Sequence, residues 1–116
     1  LPFQFEEEQL SHSFFQNQSF DAVLSVNEIF AIRGMRLASE LGYEIPGDIS
    51  FVGFTDGILS KYASPGLSAI AQDGEQMGET AARMLIVKVE NEYDETYPGN
   101  YRTEIIQASL VTRGST

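Results

Sequence analysis

The sequence predicts an α/β fold with a mainly parallel sheet flanked by helices, and three observations lead there. Helix-like and strand-like segments alternate along the 116 residues, the order expected when parallel strands are joined by right-handed helical crossovers. Two of the strand candidates are short, nearly continuous apolar runs, a composition suited to burial on both faces of a sheet. Turn chemistry separates the segments, as at Pro46-Gly47-Asp48 and Ser64-Pro65-Gly66. The length is that of one domain, enough to bury roughly two-thirds of the unfolded surface around a single core.

The elements follow in order. Glu6 to Gln16 places Leu10, Phe14 and Phe15 on one stripe of a helix. Asp21 to Val26, with Val23 and Val26, reads as a buried strand. Asn27 then stands where a helix N-cap belongs, with Glu28 favourably placed at the positive end of the helix dipole. The helix behind it carries Ile29, Phe30, Ile32, Met35, Leu37, Ala38 and Leu41 on more than one face, and Gly42 is the expected left-handed residue after its end. So broad an apolar surface serves both a core and a partner.

Ile49 to Phe54 makes a second strand, whose Gly53 permits close backbone approach. Thr55-Asp56-Gly57 is turn chemistry opening a short helix through about Tyr62, and Leu67 to Ala71 is a third strand. A long amphipathic helix runs from Asp73 to about Asn91 with Met77, Ala81, Met84, Leu85 and Val89 along its stripe. Glu90 to Tyr101 is a polar connection, and Thr103 to Thr112 reads as a last strand. Ligands of such folds gather outside the carboxyl ends of the strands. Two polar groups fall there, Ser25 to Glu28 and Thr55 to Gly57.

Composition narrows the function. Seventeen acidic residues against seven basic ones give a net charge of −10, which repels phosphate backbones and anionic lipid, so neither nucleic acid nor membrane is expected as a direct partner. The absence of Cys excludes disulfides, thiolate metal sites and cysteine nucleophiles and fits a cytoplasmic location. No apolar run approaches the roughly 20 residues of a membrane helix. The chain begins at Leu1 without Met, and we read it as a piece of something longer.

Enzymatic constellations are thin. His12 is the lone histidine, and metal or triad sites need several convergent partners. Gly53-Phe54-Thr55-Asp56-Gly57 has neither the Lys-Ser/Thr ending of a phosphate loop nor the spacing of a dinucleotide fingerprint. Glu6, Glu7 and Glu8 read as a solvated helix start. No catalytic residue, metal site or cofactor is expected, and the chain is not read as an enzyme.

Several phrases together carry a resemblance: Phe20 to Glu28, Ala31 to Met35, Leu41 to Phe54 with its Glu44-Ile45-Pro46-Gly47-Asp48 centre, Ser64 to Ile70, Gln72, Met77-Gly78, Ala81-Ala82 and Leu110 to Thr116. From about Phe20 onward the chain resembles the carboxyl-terminal part of a LacI/GalR-type transcriptional regulator. The resemblance implies part of a two-lobed, periplasmic-binding-protein-like sensor domain that binds a small effector, commonly a sugar, between its lobes. It implies a homodimer, and operator DNA reached only through an amino-terminal helix-turn-helix that this chain lacks. Residues 1–72 and 108–116 would then belong to the second lobe and 73–107 to the first, leaving the stripe of the long helix without its usual neighbour.

The resemblance also assigns residues. Asn27 corresponds to an effector-contacting Asn, an amide able both to donate to and to accept from a hydroxylated ligand, and Glu28 is the acid that follows it. Thr55 stands where the family commonly has the first Asp of an aromatic-Asp-Asp/Asn turn, and Asp56 matches the next position. Thr55 removes a bidentate acceptor for ligand hydroxyls. Gln72 is a further pocket candidate at the crossover, and Gly74 leaves that side without a stacking side chain. Ile32, Met35 and Tyr62 are the expected dimer contacts. The leading expectation is the effector-sensing and dimerising portion of a regulator, and the alternative is a soluble sugar-binding protein of an uptake system, which shares the fold.

Overall fold

The computed structural model describes Phe15, residues 19–91 and residues 102–116. Strands β1 (Ala22–Ser25), β2 (Ser50–Phe54), β3 (Ser68–Ala71) and β4 (Ser109–Val111) alternate with helices α1 (Glu28–Glu40), α2 (Ile58–Tyr62) and α3 (Gly74–Glu90). The four strands form one sheet in the order β1-β2-β3-β4. β1 and β3 both run parallel to β2, and β4 is antiparallel to β3. The mainly parallel α/β reading is therefore correct. The chain divides into two compact units, Leu1–Ala71 with Ser109–Thr116, and Gln72–Ala108.

The first unit is built by α1 lying on one face of the sheet. Asn27 caps that helix, its Oδ1 accepting from the Phe30 N–H at 2.9 Å, and Gly42 follows the helix with φ +89°, the left-handed conformation that glycine adopts at least cost. The buried stripe is Ala31, Gly34, Met35 and Ala38, the i, i+3, i+4, i+7 spacing of a core-facing helix. Gly34 is required by close approach, because a Cβ there would stand 3.0 Å from Phe51 Cε1. Phe15, Ile49, Phe51 and Leu67 complete the core. Phe15 packs its ring 5.6 Å from Phe20 and 6.2 Å from Tyr43, between ring centres. The remainder of the expected helix Glu6 to Gln16, with His12 and the Glu6 to Glu8 run, lies outside the described residues.

The opposite face of the sheet carries Leu24, Phe54 and Leu110, all exposed; cross-strand register through Val52 and Ile70 puts them on one side.

The carboxyl-terminal tail seals the sheet where β2 and β3 begin. Ser115 is fully buried, donates from Oγ to the Phe51 carbonyl at 2.6 Å and accepts from the Ser68 N–H at 2.8 Å. Its own carbonyl takes the Phe51 N–H at 2.8 Å and its N–H donates to the Gly66 carbonyl at 3.0 Å. A small residue with a hydroxyl thus stands in for a paired strand, satisfying groups that burial would otherwise leave costly.

One strand is much shorter than expected. The predicted strand Thr103 to Thr112 is reduced to Ser109–Val111, because residues 102–108 belong to the second unit, where no strand pairs with them among the described residues. The turn Thr55-Asp56-Gly57 precedes the short helix, which begins at Ile58; Thr55 takes φ +88°, which no right-handed helix accommodates.

In the second unit α3 runs between caps at Asp73, which accepts from the Gln76 N–H at 2.9 Å, and Asn91. None of its residues is buried within the chain, and Met77, Leu85 and Val89 of the expected stripe are exposed.

Candidate functional site

The carboxyl ends of β1 and β2 lie side by side. Ser25 pairs with Gly53, so Asn27 and Thr55 each follow two residues beyond paired positions of adjacent parallel strands. Both expected ligand positions are thereby brought to one edge of the first unit. Asn27 spends its Oδ1 on the α1 cap, which leaves the amide nitrogen to donate. Thr55 is exposed, and its N–H donates to the Ile70 carbonyl at 3.0 Å. Its φ of +88° is a strained choice for a β-branched residue, and such strain persists only where neighbours over-determine the backbone.

Those neighbours include the two acids. Glu28 reaches across to α2, where Oε2 accepts from the Ser60 N–H at 3.1 Å and from its hydroxyl at 3.0 Å. Gly57 is the N-cap residue of α2 and offers no side chain for capping, so Glu28 caps the helix from a distance. A Cβ on Gly57 would collide with the Glu28 carboxylate. Asp56 is held by Arg113, with Nη1 donating to Oδ1 at 2.7 Å and Nη2 to Oδ2 at 3.0 Å. Nη1 also donates to the Leu67 carbonyl at 2.7 Å. The two side chains are only 14% and 18% exposed, so water screens the pair weakly and the fork geometry is fully used. The hydrogen bonds from Arg113 hold the Asp56 carboxyl below its ordinary range against the opposing effect of desolvation.

The remaining candidates are dispersed. Gln72 is exposed and falls in the second unit. Met35 is 4% exposed within the core, so it does not present a contact surface as expected of a dimer residue. Its spacing from Ala31 and Ala38 sets it on the inner stripe of α1. Ile32 is half-buried against the core, and Tyr62 is 82% exposed. Ile29, Ile58 and Leu59 join Tyr62 as exposed apolar residues of α1 and α2. Sequence reasoning used Arg113 only as part of a terminal phrase and assigned nothing to its side chain. The available signal was compositional, a cation within an Arg-Gly-Ser-Thr phrase of a strongly acidic chain. Among the described residues no group of three or more His, Cys, Asp or Glu is arranged to hold a metal ion.

An α/β unit with polar residues clustered at the ends of its parallel strands is the architecture of a ligand-binding domain. The chain belongs to the periplasmic binding protein-like domain family, whose family model matches residues 4–116. Its relatives bear out the LacI/GalR-type resemblance. It is 31% identical over 94 residues to the ribose operon repressor of Haemophilus influenzae, covering 81% of this chain and 27% of that protein. It is 29% identical over 99 residues to the transcriptional repressor PurR of Erwinia tasmaniensis, covering 85% and 29%. Among solved structures it matches the Lac repressor bound to ONPG in the repressed state, at TM-score 0.75 and 29% identity over 93% of this chain and 31% of that one. It also matches a LacI family regulator from Arthrobacter sp. FB24 in complex with lactose, at TM-score 0.76 and 25% identity over 90% and 39%. The chain therefore spans less than a third of the length of these curated relatives. No described helix is long and apolar enough to cross a membrane.

Proposed function

We propose that this chain is the effector-sensing and dimerising portion of a cytoplasmic, DNA-binding transcriptional regulator, and that its effector is a sugar or sugar derivative. The observation that carries the reading is the juxtaposition of Asn27 and Thr55 at the ends of paired parallel strands, with Thr55 held exposed in a left-handed conformation. Asn27 donates from its amide and Thr55 offers a hydroxyl, which both donates and accepts. About residues 1–72 and 108–116 belong to the second lobe and about 73–107 to the first, so the chain crosses between lobes near Gln72, where the second compact unit begins. Similar structures support a sugar, since one holds lactose. Thr55 in place of a carboxylate favours a ligand that gives fewer paired hydroxyls to this side.

Dimerisation uses the outer surface of α1 and α2, where Ile32 and Tyr62 lie beside Ile29, Ile58 and Leu59, with Met35 supporting it from the core. A solved relative is a Lac repressor dimer on operator, and a symmetric pairing of one such surface with itself gives a closed two-fold assembly. DNA contact falls to a separate domain, because a net charge of −10 opposes phosphate. The chain does no catalysis.

Calorimetric titration of the full chain with lactose, cellobiose and ribose tests the ligand. Binding by one of them, weakened at least fivefold by Asn27→Ala alongside the modest fall in melting temperature that a lost cap of about 1 kcal/mol brings, is the expected result. A fall in melting temperature with unaltered affinity would leave Asn27 as a helix cap alone and overturn the site. Sedimentation of Ile32→Asp tests the assembly, with monomers expected because an unpaired charge would be buried at the interface.

A further inference from the structure

We propose that Arg113 is a positioning residue for the turn Thr55 to Gly57: by gripping both oxygens of Asp56 it keeps Thr55 in its left-handed conformation, so Asp56 serves the ligand through the turn and not by contact. The proposal rests on the reading above that Thr55 faces the effector.

The guanidinium is anchored before it reaches Asp56. The Arg113 N–H donates to Ser68 Oγ at 2.7 Å, and Nη1 is shared between Asp56 Oδ1 and the Leu67 carbonyl, both at 2.7 Å. Ser68 Oγ lies 2.7 Å from Thr116 Oγ1, which ties the same hydroxyl to the end of the chain. Arg113 is therefore fixed at its backbone to Ser68 of β3 and at its tip to Leu67 just before that strand, and it delivers a rigid fork rather than a mobile charge.

The fork acts on the turn through Asp56. A β-branched residue at φ +88° reverts to an ordinary conformation unless its surroundings forbid it. Three contacts forbid it here. The Thr55 N–H is held by the Ile70 carbonyl at 3.0 Å, the next residue is clamped by Arg113 through two hydrogen bonds, and the helix that follows is capped by Glu28. Asp56 is also a poor ligand contact. Both of its oxygens are engaged and its side chain is 14% exposed, so a hydroxylated ligand would have to displace a charge-assisted bidentate pair to reach it.

The clamp also joins distant chain segments. Arg113 lies just beyond β4, the first strand after the chain returns from the second unit, while Asp56 lies directly after β2.

The test compares R113Q, R113K, D56N and the double variant D56N/R113Q in the full chain by amide hydrogen exchange and by titration with lactose and cellobiose. Exchange at Thr55 and at the first turn of α2 should quicken at least tenfold in R113Q and D56N, with R113K intermediate because it keeps charge and loses the fork. Ala31 and Leu41 in and beside α1 should keep their protection, which a general loss of structure would not allow. For whichever sugar binds, R113Q, D56N and the double variant should lose affinity by the same factor, as expected when two residues act as one unit. Unchanged exchange at Thr55 in R113Q overturns the proposal. So does a loss in D56N several times that in R113Q, which would make Asp56 a direct contact. If neither binds the parent chain, lactose and cellobiose are excluded as its effectors, and the exchange result still decides the clamp.

Discussion

The Glu28 carboxylate occupies the space in which a Cβ on Gly57 would stand, and from that position it accepts from the N–H and hydroxyl of Ser60 at 3.1 and 3.0 Å. Glycine at position 57 is therefore a consequence of an acid 29 positions earlier in the chain. Its φ of −86° suits any residue, so backbone freedom is not what requires it.

Gly57→Ala should destabilise the first unit by about 1–2 kcal/mol, the scale of a lost cap with its charged hydrogen bonds. In a Glu28→Ala background the same change should cost only a few tenths of that order, since the carboxylate it collides with is gone. Urea denaturation of the four members of the cycle measures the coupling.

Ser115→Ala should cost about 2–4 kcal/mol. The hydroxyl satisfies the Phe51 carbonyl and the Ser68 N–H in a fully buried position, and each orphaned backbone group carries a penalty of about 1–3 kcal/mol. Thermal melts should show the loss, with hydrogen exchange quickening first at Ser68.

Asp56→Asn should destabilise the chain at neutral pH by about 1–3 kcal/mol, as a charge-assisted pair screened only weakly by solvent is broken. The dependence on pH has a definite sign. The folded carboxyl sits below its ordinary range, so its stabilisation is fully present above the unfolded pKa and is lost as pH falls through the folded one. The difference in stability between the parent and Asp56→Asn should accordingly narrow as the solution is acidified below the usual carboxylate range. Denaturation series across that range give the curve.

Thr55→Gly should raise stability by about 1 kcal/mol, relieving a β-branched side chain at φ +88° against the entropic cost of glycine in the unfolded chain. If Thr55 contacts the effector, the same variant should bind it less tightly. Opposite signs in melting temperature and affinity would distinguish a functional strain from a neutral one.

Much of the framework was legible in the amino-acid order because it depends on local physics. Asn27 and Gly42 mark the start and end of α1 by capping and left-handed termination, and the apolar positions from Ile29 to Leu41 mark it as a helix, none of which needs a distant partner. The strands were recognisable in the same way, as were Asn27 and Thr55 as polar residues placed beyond strand ends. Tertiary structure decided what those residues do. Met35 and Ile29 look equally apolar in sequence, yet one fills the core and the other is exposed, because the rotation of α1 over Phe51 sets which stripe is buried. Glu28 and Asp56 read as candidate ligand contacts until Ser60 and Arg113, 32 and 57 residues away, are brought against them. A carboxylate's chemistry depends on which donors fold onto it, and those pairings arise only when segments far apart in the chain share one sheet.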